Sequence, residues 1–137
     1  MVHALKIVRD ALSSGGCLIS IQDLPVPNVI EVHSGGKSMR VGWLQSKADF
    51  MEERSAYAAL IRVVQDGLFI LEDEEDFDFR IYWDGIKELQ DCLADNWESS
   101  YIPDITLKRI EDVTSNPDLP YKVVLKSPAR MTKLRVG

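Results

Sequence analysis

Residues 68–97 read LFILEDEEDFDFRIYWDGIKELQDCLADNW, and the reading of this stretch decides the fold. From Phe77 to Trp83 the chain alternates strictly. Phe77, Phe79, Ile81 and Trp83 fall on one side of an extended strand, and Asp76, Asp78, Arg80 and Tyr82 on the other. Leu68–Leu71 is a short apolar run between Gly67 and the acids Glu72, Asp73, Glu74, Glu75 and Asp76. The stretch is therefore expected to form a hairpin with a carboxylate-lined turn. A helix follows from about Gly85, with Asp84 as its cap and Ile86, Leu89, Leu93 and Trp97 along one stripe. Glu88, Asp91 and Asp95 lie on its other side, with Lys87 the one cation nearby.

Towards the N-terminus, Ser46 and Asp49 give a capping-box-like start to a helix. Its Phe50, Tyr57, Leu60, Ile61 and Val64 recur at helical spacing until Gly67. Three short strands are expected before it, over 17–21, 29–33 and 39–44. The second and third are joined through Ser34-Gly35-Gly36-Lys37, whose glycines supply the positive φ of a tight hairpin. Pro25 and Pro27 fix an extended connection between the first two strands. Residues 2–14 carry Leu5, Val8 and Leu12 on one helical stripe, ended by Gly15-Gly16.

Towards the C-terminus, residues 105–113 read as a less regular strand. The turn SNPDLP leads to a strand over 121–126 that Pro128 ends, and residues 126–137 read as a basic tail docked on the domain. The predicted order is α-β-β-β-α-β-β-α-β-β. Successive hairpins imply a single α+β domain over 1–137, with a mainly antiparallel sheet and helices packed on one face.

A chain of 137 residues is long enough to bury a core without staples. Its two cysteines, Cys17 and Cys92, are too few for a disulfide framework and are expected as reduced, packed thiols. Arg9 and Asp10 interrupt the N-terminus before a signal-peptide core accumulates, and no run approaches the roughly 18–20 apolar residues of a membrane span. A soluble, cytoplasmic protein is the expectation.

The formal net charge is −6, and its distribution says more than its sum. Residues 1–71 hold seven Lys/Arg and seven Asp/Glu, residues 72–104 hold two and twelve, and residues 105–137 hold seven and three. Phosphate neutralisation needs a basic surface, so the acidic middle argues against direct nucleic-acid binding.

Motifs for catalysis are missing. Gly35-Gly36-Lys37-Ser38 has Glu31 where a phosphate loop needs its first glycine, and it enters a strand rather than a helix. None of the eight lysines has an acid two residues before it, which removes the PD-(D/E)-x-K nuclease pattern. His3 and His33 serve no nucleophile elbow, and two Cys with two His at 3, 17, 33 and 92 lack zinc-site spacing. Trp43, Trp83 and Trp97 fall at inward-pointing positions, as core packing requires. The acids 72–78 could gather a hard cation, but they lack the EF-hand glycine and helices, so a solvated acidic turn is the expected reading. No cofactor, metal or catalytic residue is expected.

What remains is an acidic face built from Glu72, Asp73, Glu74, Glu75, Asp76 and Asp78 together with Glu88, Asp91 and Asp95. Such a field attracts a basic protein surface. The expectation is a non-enzymatic binding module of the inhibitor, immunity or chaperone kind. An acidic mimic of nucleic acid and an enzyme with an unrecognised carboxylate site are the alternatives. The first eight predicted elements, over residues 2–97, resemble the order in the small acidic chaperones of type III secretion; the last two strands depart from it. The resemblance implies a client protein, and a homodimer is left open. The basic residues Lys122, Lys126, Arg130, Lys133 and Arg135 supply a counter-reading, in which the C-terminus folds back and neutralises the acids internally.

Overall fold

The acids 72–76 do not turn. In the computed structural model, which describes residues 1–47 and 49–137, they lie inside one strand running without interruption from Phe69 to Trp83. In chain order the elements are α1 (Val2–Ala11), β1 (Cys17–Asp23), β2 (Val29–Ser34), β3 (Lys37–Trp43), β4 (Gln45–Ser46), α2 (Met51–Gln65), β5 (Phe69–Trp83), α3 (Ile86–Asn96), β6 (Ser100–Tyr101), α4 (Asp104–Val113) and β7 (Lys122–Val136). The class is α+β with mainly antiparallel pairing.

The chain divides into two compact units, residues 1–25, 50–77 and 128–137 in the first and 26–49 and 78–127 in the second. In the first unit β1 runs antiparallel to the second half of β7, from Cys17 opposite Arg135 to Asp23 opposite Ala129. Even-numbered residues of both strands face the helices. Leu18, Leu134 and Val136 join Leu5 of α1, Ala59, Leu60 and Val63 of α2, and Phe69 at the start of β5 in one apolar core. The expected basic tail is thus the second half of a strand. Pro128 does not end it, because β1 pairs from Ala129 onwards and β2 pairs only as far as Lys126. The missing N–H falls in the gap between the β1 and β2 ladders, and the Pro128 carbonyl accepts from the Leu24 N–H at 2.9 Å.

In the second unit β2 lies between β3 and the first half of β7, antiparallel to both. The hairpin between β2 and β3 turns at Gly35 and Gly36, with φ of 57° and 75°, as two adjacent glycines predict. Ile30, Val32, Val123 and Leu125 form the apolar face of these strands. They pack against Leu89 and Leu93 of α3 and Ile110 of α4. An added Cβ at Gly42 would fall inside the Thr106 side chain, so glycine here lets α4 close onto β3.

Several expectations change. Residues 104–113 form α4, not a strand: Thr106 and Ile110, four apart, are both buried, whereas the apparent alternation rests on Ile105, which is exposed. The helix expected to begin at Ser46 begins at Met51, because Ser46 is taken into the β4–β6 ladder opposite Ser100. Phe79 is 56% exposed and Trp43 42% exposed, so neither serves the core; the Arg40 guanidinium lies 5.5 Å from the Trp43 ring centroid instead. Trp83 and Trp97 do pack on the core, and Cys17 is exposed rather than packed. With β5 unbroken and β4 added, the element order no longer follows the secretion-chaperone pattern.

Candidate functional site

The acids of the opening stretch separate into two classes according to what faces them. β5 pairs with β7, and their ion pairs run in opposite senses along the two strands. In the first unit the Glu72 carboxylate meets Lys133 Nζ at 3.1 Å and Arg135 Nε at 2.7 Å. Glu74 meets Arg130 at 3.5 Å, and Asp76 accepts a two-pronged contact from Arg130 Nε and Nη2 at 2.6 and 2.9 Å. Arg130 also lies over the Tyr57 ring of α2, whose hydroxyl donates to Glu74. Hydrogen bonds from Lys133 and Arg135 hold the Glu72 carboxyl below its ordinary pKa, and Arg130 does the same for Asp76. Asp73 and Glu75 meet no cation in this set; the Asp73 carboxylate instead accepts the Glu74 N–H.

In the second unit Asp78 meets Lys126 at 3.5 Å and Arg80 at 3.8 Å, and Asp84 is paired with Lys122. Lys126 also reaches Glu31 at 2.9 Å, a carboxylate only 8% exposed on β2. His33 Nε2 lies 3.1 Å from the other Glu31 oxygen, and its ring meets Tyr82 edge-on at 5.8 Å. Sequence reading missed this cluster, because Glu31, His33, Asp78, Tyr82 and Lys126 come from three strands far apart in the chain. Burial pushes the Glu31 carboxyl up, but hydrogen bonds from Lys126 and His33 outweigh it and hold the group below its ordinary value. The ionised carboxylate only accepts, so His33 Nε2 carries the shared proton. Its hydrogen bond to Glu31 in turn raises Lys126. A general base poised near neutrality needs a raised carboxyl, and an amine nucleophile a lowered lysine. Both shifts here run the other way, so the Glu31–Lys126 pair is locked as ions.

α3 is different. Glu88 accepts the Asp84 N–H at 3.0 Å, just ahead of the helix, whose N-cap is Gly85 rather than the expected Asp84 and carries no side-chain cap bond. Asp91 and Asp95 are exposed, and no cation approaches either among the described residues. Beside them Gln90, Leu93 and Ala94 of α3, with Glu98, Tyr101 and Ile102, line a cleft of about 240 Å³. The nine expected site residues therefore do not act alike. Glu72, Glu74, Asp76 and Asp78 are spent on cations of β7, Glu88 on the Asp84 N–H, and Asp73, Glu75, Asp91 and Asp95 face solvent. Glu72–Asp76 belong to the first unit and Asp78, Glu88, Asp91 and Asp95 to the second.

Among the described residues no three His, Cys, Asp or Glu side chains converge as a metal site requires, and no helix is long and apolar enough to cross a membrane. No protein-family model, curated protein or solved structure matches this chain.

Proposed function

We propose that the chain is a non-enzymatic protein-binding module that engages a basic partner through α3, with Asp91 and Asp95 supplying the charge and the adjoining cleft receiving an anchor side chain. The observation that carries this reading is the contrast among the acids. Those on β5 that face β7 have cations within the fold, while Asp91 and Asp95 have none and belong to the helix whose Gln90, Leu93 and Ala94 line a cleft with Glu98, Ile102 and the half-exposed Tyr101. Desolvated hollows flanked by charge are where interface energy concentrates, while the charges set encounter rate and specificity. Inhibitor, immunity and client-masking roles all fit such a face. Two free cysteines suit a reducing compartment such as the cytoplasm.

The test compares charge reversals in partner capture. The wild-type chain is expected to retain a stoichiometric basic protein at low salt and release it as salt rises. Asp91→Lys/Asp95→Lys is expected to lose that protein, and Asp73→Lys/Glu75→Lys to keep it. Retention by the α3 variant overturns the proposal. Competition of the captured partner by duplex DNA would favour the nucleic-acid-mimic reading instead.

A further inference from the structure

A second surface, independent of α3, lies in the first unit, where β1 ends its sheet. β1 pairs with β7 through Cys17–Asp23 with no bulge, and among the described residues no strand pairs with its other edge. The pairing fixes which backbone groups are left over. At its two ends the Val136 N–H donates to the Gly16 carbonyl and the Leu24 N–H to the Pro128 carbonyl. In an antiparallel ladder the residues bonded to one neighbour alternate. Leu18, Ser20 and Gln22 therefore bond to β7, while Cys17, Ile19, Ile21 and Asp23 direct their N–H and C=O groups to the free edge. The side chains of these four lie on the face away from the helices, with Ile19 57% and Ile21 63% exposed. Native sheets guard such edges with charge, proline or a bulge. β5, on the other side of β7, is guarded by Glu72, Asp73, Glu74, Glu75 and Asp76. β1 has no charge before Asp23, no proline and no bulge.

We infer that two copies of the chain join along this edge, β1 antiparallel to β1, as a homodimer whose sheets continue through the interface. Residues that bond outward must face one another, and a two-fold axis beside Ser20 meets that condition. It sets Ile19 of each copy opposite Ile21 of the other, so four isoleucines adjoin on one face, flanked by Met131, the β7 neighbour of Ile21. Charge favours a second copy over a foreign strand. The same register places Asp23 opposite Cys17 of the second copy, and on β7 Arg135 stands beside Cys17 and Lys133 beside Ile19. Those two cations share one carboxylate, Glu72, while Asp23 meets no cation among the described residues. Each end of the paired strands thus sets an unpaired acid toward a surplus of positive charge, and the symmetry does so twice. On the helix side an open hollow of about 360 Å³ along Ser20–Asp23 leaves room beside the edge. One strand pair is a small interface, so a dissociation constant on the order of 10 μM is expected.

Sedimentation equilibrium of the full-length chain is the test, and a dimer that dissociates on dilution is expected. Ile19→Lys/Ile21→Lys crowds four lysines around the axis and is expected to weaken association by about a hundredfold or more, with the thermal midpoint of the monomer unchanged. Ile19→Pro removes an N–H that only the second copy uses, and is expected to act likewise. Ser20→Pro removes one that β7 uses, and is expected to lower the midpoint instead. Ser20→Cys reads the register. It sets two thiols at a non-hydrogen-bonded pair with Cα atoms about 4.5 Å apart, so a disulfide-linked dimer is expected on mild oxidation. The two copies of Cys17 are about 20 Å apart in this register, so the wild-type chain is expected not to cross-link there. A monomer at every concentration up to about 1 mM overturns the inference and leaves the edge to a strand of another protein. A dimer that persists in both Ile19→Pro and the double lysine variant overturns it as well. A dimer in which Ser20→Cys forms no disulfide overturns the register.

Discussion

Glu31 shows how a single residue can carry charge inside this fold without being reactive. A carboxylate 8% exposed is tolerated because Lys126 and His33 supply two donors to its two oxygens. Glu31→Gln should destabilise the chain by about 1–3 kcal/mol at neutral pH, through loss of the charge-assisted bonds and the half-buried Lys126 left behind. The pH dependence has a definite sign. A carboxyl held below its ordinary 4.5 contributes stability that is complete above that pH and lost as pH falls through the depressed value. A lysine raised above 10.5 contributes stability that is complete below that pH and lost as pH rises through the raised value. The wild-type advantage over Glu31→Gln, measured by denaturant titration, should therefore be full at neutral pH and shrink in the acid limb. A pH-independent difference would mean that the variant's cost is steric rather than ionic.

At the scale of elements, β5 is the part of the sequence most easily misread, because five consecutive acids look like a loop. Along a strand successive side chains alternate between faces, so neighbouring acids need not share a face, and a row of cations on the neighbouring strand can compensate those within reach. Arg130, Lys133 and Arg135 do this from more than fifty residues downstream, beyond any local pattern. A proline scan distinguishes strand from turn. Adjacent residues of a strand direct their N–H groups to opposite edges, so Glu74→Pro and Glu75→Pro should differ sharply in denaturation midpoint, with Glu74→Ala and Glu75→Ala as side-chain controls. Equal tolerance of both prolines would restore the loop. Elsewhere local chemistry sufficed: Gly35-Gly36 specified the β2–β3 hairpin, and the stripes through Leu60 and Leu89 specified α2 and α3. α4 escaped because Ile105 and Leu107 alternate at its start, and burial of Thr106 and Ile110, four apart, shows the helical period. The same limit hid the Glu31 cluster, which exists only because three strands distant in sequence lie side by side.

For the whole molecule, a net charge of −6 is not a uniform field. The acidic middle of the chain and its basic C-terminal third meet along β5 and β7, so much of the asymmetry visible in the sequence is satisfied internally. Of the nine acids, those left without a cation or hydrogen-bonding role in the fold are fewer and more localised: Asp91 and Asp95 on α3, with Glu75 on β5 and Asp73, which accepts only the neighbouring Glu74 N–H. This division of the acids into structural and available sets is the central claim, and equilibrium denaturation of two double charge reversals tests it most directly. Glu72→Lys/Asp76→Lys and Asp91→Lys/Asp95→Lys change the net charge equally, so any difference between them reports local environment rather than overall repulsion. The β5 pair should lower the denaturation midpoint clearly, because each new lysine faces Lys133, Arg135 or Arg130, whereas the α3 pair should leave it close to wild type. Equal midpoints for the two variants, or a larger loss in the α3 pair, would contradict the division.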